Sequence, residues 1–179
     1  MTDYSNLQIT TATAERLVLD HYGVKGTASN LPGEIDFNFR ITVPGEAGYI
    51  LKISRPGEND DYLDFQQKLL QYISDKGEKL IAPRVIPDQR GNIISGISDS
   101  EGKTRKIRLL TWVEGRLWSN VNPQLDNLRE DLGEHCGKLT KALLGFNHAQ
   151  AHRKFDWDIA QALWTKEHLE LFSREKKEH

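Results

Sequence analysis

Short apolar segments with two different periods alternate along the first two thirds of the chain. Residues 11–22 place Leu17 and Val18 inward and stop at Gly23, which predicts a short helix. Turn-rich stretches then divide the chain into three short segments. These segments are 27–31, 37–43 and 48–54. Because each is short and bounded by tight turns, they predict three strands of an antiparallel meander.

The segment from 60 to 75 changes to a helical period. Its apolar side chains recur at spacings of 3, 4 and 3, which places them on one face of a helix. These side chains are Tyr62, Phe65, Leu69 and Tyr72, and Leu63, Leu70 and Ile73 widen the same face. Two more strand candidates follow, at 93–97 and 107–113. The order predicts an α+β fold like the small lobe of a protein kinase, with an antiparallel sheet of about five strands and one packed helix.

The last third of the chain has a helical pattern. Asn122 suits an N-cap and Pro123 a first helical residue, and a leucine-rich stripe follows. The stripe consists of Leu125, Leu128, Leu132, Cys136, Leu139 and Leu143. A further helix is predicted at 159–172. We therefore predict a small lobe at 1–113 and, at 114–179, the first helices of a truncated helical lobe that exposes apolar surface.

One lysine lies inside the most apolar of the predicted strands. Lys52 stands between Leu51 and Ile53, and a charge in a buried strand is costly unless it is paired or has a function. One interpretation is a lysine whose stem packs on the sheet while its ammonium reaches water. The other is a lysine directed at a nucleotide phosphate from the third strand of a kinase-type sheet. The strand by itself leaves both open.

Composition restricts the classes of function. The 179 residues carry a net charge of -2 and a single cysteine, Cys136, which suits a reducing cytosol. No apolar run approaches the ~20 residues of a membrane helix, and no signal-peptide pattern opens the chain. Lysine and arginine are scattered, which argues against a nucleic-acid partner. His148 and His152 lie four apart without supporting ligands, so we expect no metal site and a cytoplasmic protein.

Three segments, in this order and spacing, carry a family resemblance. They are LPGEIDFNF at 31–39, YILKI at 49–53 and RLLTWVEGR at 108–116. Together they resemble the aminoglycoside phosphotransferase and choline kinase superfamily, over roughly residues 10–165. The likeness is greatest to the hydroxylysine kinase branch. That branch also occurs as the leading domain of large bacterial proteins that carry a class III aminotransferase further along the chain.

The resemblance implies a role for each matched segment. The loop from Gly33 to Asn38 would lie over the nucleotide phosphates, where backbone N–H groups bind an anion. Lys52 would hold phosphate oxygens, and residues 111–113 would form a hinge whose backbone pairs with the adenine edge. The expected ligand is ATP or GTP, with Mg²⁺ in the complete protein. The implied nucleotide-binding residues are Gly33, Glu34, Asp36, Asn38, Lys52, Gln66, Thr111, Trp112 and Val113.

The chain departs from the family pattern in two places. The helix after Lys52 should supply an acidic partner for the lysine, but the aligned residue is the uncharged Gln66. Asp64 is the nearest carboxylate, although two residues along a helix do not share a face, so the partner stays open between these two. No Asp is followed five residues later by Asn, so the His-x-Asp-x-x-x-x-Asn loop is absent. We therefore predict no catalytic residue in this chain.

Two functions follow from these observations. The first is the ATP-binding N-terminal part of a small-molecule kinase that phosphorylates a hydroxyl of an amino alcohol, hydroxylysine or an aminoglycoside, and is inactive alone. Its partners would be a nucleotide and, in the complete protein, a small-molecule acceptor. The alternative is a non-catalytic, kinase-like interaction or regulatory module, including the leading domain of an aminotransferase fusion protein. Gln66 and the missing loop favour this alternative if the chain is complete as given.

Overall fold

Six strands form one antiparallel sheet in the computed structural model, which describes residues 9–76, 80–154 and 158–171. The strands are β1 (Thr27–Leu31), β2 (Phe37–Thr42), β3 (Tyr49–Ile53), β4 (Val85–Ile86), β5 (Ser95–Ser98) and β6 (Thr104–Thr111). Their order across the sheet is β1-β2-β3-β6-β4, and β5 also pairs with β6. Every pairing is antiparallel, as predicted.

The sheet contains one strand that the sequence pattern did not predict. β4 is only two residues long, and it lies between Pro83 and Pro87. A segment of two residues is too short to show the alternation of apolar and polar side chains that predicts a strand. Val85 and Ile86 instead pair with Leu110 and Leu109 of β6, so the neighbouring strand defines β4.

Two helices lie where the sequence predicts them. Helix α1 (Thr11–Tyr22) is capped by the Thr10 side chain, which accepts a hydrogen bond from the Thr13 N–H, and it ends at Gly23, whose φ is 69°. Helix α2 (Asp60–Asp75) begins with an equivalent bond from the Tyr62 N–H to the Asn59 side chain. These caps satisfy backbone groups that the first turn of a helix leaves unpaired.

The hydrophobic core lies between α1 and one face of the sheet, here called the α1 face. Alternate residues of β2, β3 and β6 supply it, because successive side chains of a strand point to opposite faces. These residues are Phe39, Ile41, Leu51, Ile53, Ile107 and Leu109, none more than 2% exposed. Ala14, Leu17, Val18 and Tyr22 of α1 complete the cluster. Full burial of such side chains contributes about 1.5–3 kcal/mol each.

Helix α2 lies over the opposite face of the sheet, here called the α2 face. Its buried residues are Leu63, Gln67 and Ile73, and two of them, Leu63 and Ile73, belong to the predicted apolar face. Tyr72 and Phe65 are half-buried and pack against Phe146, with ring centroids 5.2 and 6.1 Å apart. The apolar period identified the helix and part of its buried face, but it did not indicate the buried Gln67.

The predicted start of the third helix is wrong. Helix α3 (Asp126–Ala142) begins after Leu125, and no side-chain cap from Asn122 forms. A short 3-10 turn at Trp118–Asn120 precedes it, and the Gln124 side chain donates to the Trp118 carbonyl over 3.4 Å. This turn, rather than local propensity, sets the start. Most of the predicted apolar stripe, including Cys136, lies on exposed surface, which agrees with the expectation of exposed apolar surface.

The chain divides into two compact units, 1–146 and 147–179, and the second contains only 3-10 helix among its described residues. These segments are Ala149–His152 and Ile159–Leu171, and the latter covers the predicted last helix except residue 172, which lies outside the described chain. In the part of the chain that the structure describes, no helix is long and apolar enough to cross a membrane. The predicted boundary at 113 stays a prediction.

Candidate functional site

Lys52 belongs to a row of polar residues that crosses the α2 face of the sheet. It pairs with Asn38 of β2 on one side and with Arg108 of β6 on the other. Its neighbours Leu51 and Ile53 point to the α1 face and are fully buried there. The alternation of strand β3 therefore directs a single charged side chain away from the core and toward α2.

The polar partners of Lys52 are Asp36, in the loop that precedes β2, and Asn38, in β2 itself. Its ammonium donates to Asn38 Oδ1 over 2.7 Å and lies 3.2 Å from Asp36 Oδ2. The expectation of Gln66 or Asp64 as partner is therefore wrong. Asp64 pairs with Lys68 along α2, with 2.7 Å between the charged atoms. The prediction considered only residues of the helix after Lys52. The Asp36 carboxylate reaches Lys52 instead, because β2 and β3 are adjacent.

Lys52, Asp36, Asn38 and Gln66 form a polar cluster with a second cation, Arg108. Arg108 was not among the predicted site residues. Its guanidinium contacts Asp36 Oδ2 over 2.7 Å through Nη2 and donates to Gln66 Oε1 over 2.5 Å through Nη1. The side chain is 1% exposed. Burial lowers the pKa of Arg108, and the negative charge of Asp36 opposes that shift. An arginine inside a predicted apolar strand was the signal that could have identified it.

The loop from Gly33 to Asn38, here called the Gly33 loop, is held closed by the Asn38 side chain. Asn38 Nδ2 donates to the Asp36 carbonyl over 3.2 Å and to the Pro32 carbonyl over 3.3 Å. A Cβ atom on Gly33 would overlap both Asn38 Nδ2 and the Asp36 carbonyl. Glycine is therefore required for this closure, and Asn38 links the loop directly to Lys52.

A cavity of about 420 Å³ lies between the α2 face and α2. Its apolar lining consists of Leu31, Pro32, Ile50, Leu70, Pro83 and Leu110. Its polar lining consists of Asn38, Lys52, Gln66, Gln67 and Arg108. Gln67 is 1% exposed, and its Oε1 atom has no hydrogen-bond partner in the described chain. A mostly apolar cavity with a few polar groups at one end is typical of a small-molecule site.

A smaller cavity of about 230 Å³ lies beside the Gly33 loop. Glu34, Asp36, Asn38, Lys52 and Gln66 all line it. Five predicted site residues therefore gather around Lys52: Glu34, Asp36, Asn38 and Gln66, which line the cavity, and Gly33, which closes the loop. Lys52, Asn38 and Gln66 line both cavities, so the ammonium stands at their junction.

The predicted hinge residues do not line either cavity. Thr111 donates its N–H to the Arg84 carbonyl over 2.9 Å, and Trp112 donates to the Gly48 carbonyl over 3.0 Å. Val113 follows directly, and its N–H has no partner in the described chain. The segment adjoins Leu110, which lines the larger cavity. Of the three predicted hinge residues, Val113 alone keeps a backbone donor available.

Sheet order, strand register and the lysine on the third strand define the fold of a phosphotransferase small lobe. The model of the APH phosphotransferase enzyme family matches residues 27–178, so the chain belongs to this family. No curated protein sequence matches the chain.

Two solved structures are similar to the chain. One is an amicoumacin kinase in complex with AMP-PNP, Ca²⁺ and Ami, with a TM-score of 0.64 and 18% identity, over 94% of this chain and 49% of that one. The other is a microcompartment-associated aminopropanol kinase, with a TM-score of 0.61 and 17% identity, over 88% of this chain and 48% of that one. The likeness confirms the predicted kinase-type fold. The chain spans about half the length of either structure.

Proposed function

We propose that this chain is the ATP-binding N-terminal portion of a small-molecule kinase. The observation that carries the proposal is the position of the Lys52 ammonium, at the junction of an apolar cavity and the Gly33 loop. An ammonium beside backbone N–H groups is suited to phosphate oxygens. Membership of the phosphotransferase family supports the same reaction class.

The nucleotide would lie along the α2 face. Its adenine would meet residues 111–113, with the Val113 N–H as donor, and its phosphates would lie between the Gly33 loop and Lys52. The carboxylates of Glu34 and Asp36 would repel phosphate, so the loop would contribute its backbone N–H groups. GTP is an alternative to ATP. Mg²⁺ would accompany the nucleotide in the complete protein. Among the described residues, no group of three His, Cys, Asp or Glu side chains could hold a metal.

The chemistry of transfer would require residues beyond those present here. The 179 residues contain no His-x-Asp-x-x-x-x-Asn segment, which would supply the proton acceptor and a metal ligand. We therefore propose that the chain has no phosphotransferase turnover alone. The acceptor in a longer protein would be a hydroxyl of an amino alcohol, hydroxylysine or an aminoglycoside, as in the hydroxylysine kinase branch.

A non-catalytic interaction or regulatory module is the second candidate, including the leading domain of an aminotransferase fusion protein. The observation that favours it is the absence of an acidic residue at the α2 position that contacts the cluster. Gln66 there binds Arg108 rather than Lys52. In this candidate the cluster would stabilise the fold and would bind no nucleotide.

NMR titration with ATP separates the two candidates. We expect a dissociation constant on the order of 1 mM or weaker, about -4 kcal/mol, because the metal-binding half of the site is absent. Shifts should be confined to residues 31–38, 50–53 and 110–115 and should disappear in Lys52→Ala. Lys68→Ala is the matched control, since Lys68 lies exposed on α2 and pairs with Asp64. No shift at millimolar ATP from a folded sample would favour the interaction module.

A phosphotransfer assay tests the second part of the proposal. The purified chain should not transfer phosphate from ATP to amino alcohols, hydroxylysine or aminoglycosides. Loss of the proton acceptor and metal ligands removes several orders of magnitude in rate. Measurable turnover that Lys52→Ala abolishes would contradict it.

A further inference from the structure

Asp36 is shared between two cations on the α2 face. One oxygen, Oδ2, lies 3.2 Å from Lys52 Nζ and 2.7 Å from Arg108 Nη2. The three side chains together carry a charge of about +1, since one carboxylate faces two cations. The carboxylate belongs to the Gly33 loop, whereas the two cations belong to β3 and β6.

This arrangement allows two roles for Asp36, and burial decides between them. Asp36 could be an internal anion that a phosphate displaces, or a fixed partner that orients Lys52. Displacement would leave Arg108 without a carboxylate, and an unpaired buried charge is strongly destabilising. Arg108 lines the larger cavity but is only 1% exposed, so it offers an incoming phosphate little surface while Asp36 is bound to it. Asp36 therefore stays with Arg108.

Lys52 differs from Arg108 because it remains accessible. Its side chain is 24% exposed, and it lines both cavities. An ammonium has three donors, and Asn38 Oδ1 accepts from one of them, while the Asp36 carboxylate forms an ion pair with the ammonium over 3.2 Å. Donors therefore remain for a phosphate oxygen, and these two contacts hold the ammonium in place.

We propose that Asp36 is the positioning residue that holds Lys52 for a nucleotide phosphate, and that Arg108 holds Asp36 in place. This inference rests on the proposed function. It assigns to Asp36 the role of acidic partner of Lys52, which was expected of a residue on the helix. The loop, the lysine and β6 are thereby joined without a charge from α2. Helix α2 contacts the cluster only through Gln66 and Arg108 among the hydrogen bonds described above.

The test uses a variant that removes the ion pair between Asp36 and Arg108 but keeps the fold. Asp36→Asn with Arg108→Met removes both charges together, which avoids leaving a single buried charge. The matched control is Asp99→Asn with Arg105→Met. Arg105 lies on the same strand, is equally buried, and contacts Asp99 over 2.7 Å. Asp36→Asn alone is the conservative variant.

The first readout needs no nucleotide. NMR relaxation measures the order of the Lys52 side chain, whose signals are assigned by comparison with Lys52→Ala. This order should fall in the Asp36 variants and should not change in the control. Unchanged order in Asp36→Asn/Arg108→Met would overturn the proposal.

The second readout is the ratio of ATP affinity to adenosine affinity, from the initial slopes of NMR titrations. In Asp36→Asn, which keeps Arg108 in the lining of the larger cavity, loss of one oriented, charged hydrogen bond should reduce this ratio about 10-fold, because ATP affinity falls more than adenosine affinity. A merely structural role would weaken both ligands equally, and a rise in the ratio would indicate a competing anion; either result overturns the proposal. If the wild-type chain binds neither ligand, the proposed function itself fails, and with it the phosphate role of Lys52.

Discussion

The two faces of the sheet differ in what their side chains contact, although the same three strands supply both. The α1 face consists of apolar residues such as Leu51 and Leu109, which pack under α1 and are fully buried. The α2 face carries Asn38, Lys52 and Arg108 in one row. Single strands therefore contribute to the core on one side and to the proposed binding site on the other, since alternate residues point to opposite faces.

Two arginines on β6 are equally buried but differ in what they contact. Arg105 and Arg108 are each 1% exposed. Arg105 contacts Asp99 in the turn of its own hairpin and donates to the Ser54 carbonyl over 3.0 Å. Arg108 contacts residues from the Gly33 loop and from α2. Arg105 thus joins its own hairpin to the residue after β3, whereas Arg108 joins the Gly33 loop and α2 beside a cavity.

The largest expected effect is on the α1 face. Leu109→Ala should lower the free energy of unfolding by about 2–5 kcal/mol, because Leu109 is fully buried and its removal leaves a cavity. Leu110→Ala is the matched variant on the α2 face, where Leu110 lines an existing cavity, and should cost less. Urea denaturation measures both. Equal losses would contradict the division between the faces.

Arg108→Met should have the next largest effect. It leaves Asp36 without its buried partner, but Asp36 is 14% exposed and keeps Lys52, so we expect a loss of about 2 kcal/mol. Arg105→Met should also destabilise the protein but should leave the NMR signals of Lys52 unchanged. Denaturation and NMR spectra of both variants provide the comparison. A shift of the Lys52 signals in Arg105→Met would contradict separate roles for the two arginines.

A pH effect is expected at the turn between β4 and β5. Hydrogen bonds from the Ser95 side chain, and then from Asn92, hold the pKa of Asp88 well below its usual range. The unfolded chain takes up this proton near the usual pKa of about 4, so the stabilisation is present above that pH and is lost as the pH falls.

Asp88→Asn should therefore show a shallower loss of unfolding free energy between about pH 5 and pH 2 than the wild-type protein, because it has no proton to take up. Denaturation series at several pH values measure the two slopes. Equal slopes would mean that Asp88 has the same proton affinity in both states.

The smallest effect is expected on α3, which belongs to neither face. Leu132 is 46% exposed, so Leu132→Ala should change the free energy of unfolding by less than about 0.5 kcal/mol. The comparison is with Leu109→Ala, which removes the same atoms from the core. A loss of several kcal/mol would show that the apolar stripe of α3 is packed against another surface in solution.

The sequence by itself determined α1, α2 and the first three strands. Their signals are local: Thr10 and Gly23 bound one helix, Asn59 caps the other, and tight turns separate the strands. It also placed Lys52 within β3, since an isolated charge in an apolar strand is visible without any partner. The family resemblance added the Gly33 loop, and the structure brings that loop to Lys52.

Only the tertiary structure decided which side chains meet. Lys52 contacts Asp36 because β2 and β3 pair in one register, and Arg108 joins them because β6 pairs with β3 on the other side. Strand β4 exists because β6 offers a partner for two residues. These contacts join segments up to 72 residues apart. The local period of apolar residues does not predict which distant segments will meet, because the register between strands is fixed by packing of the whole sheet.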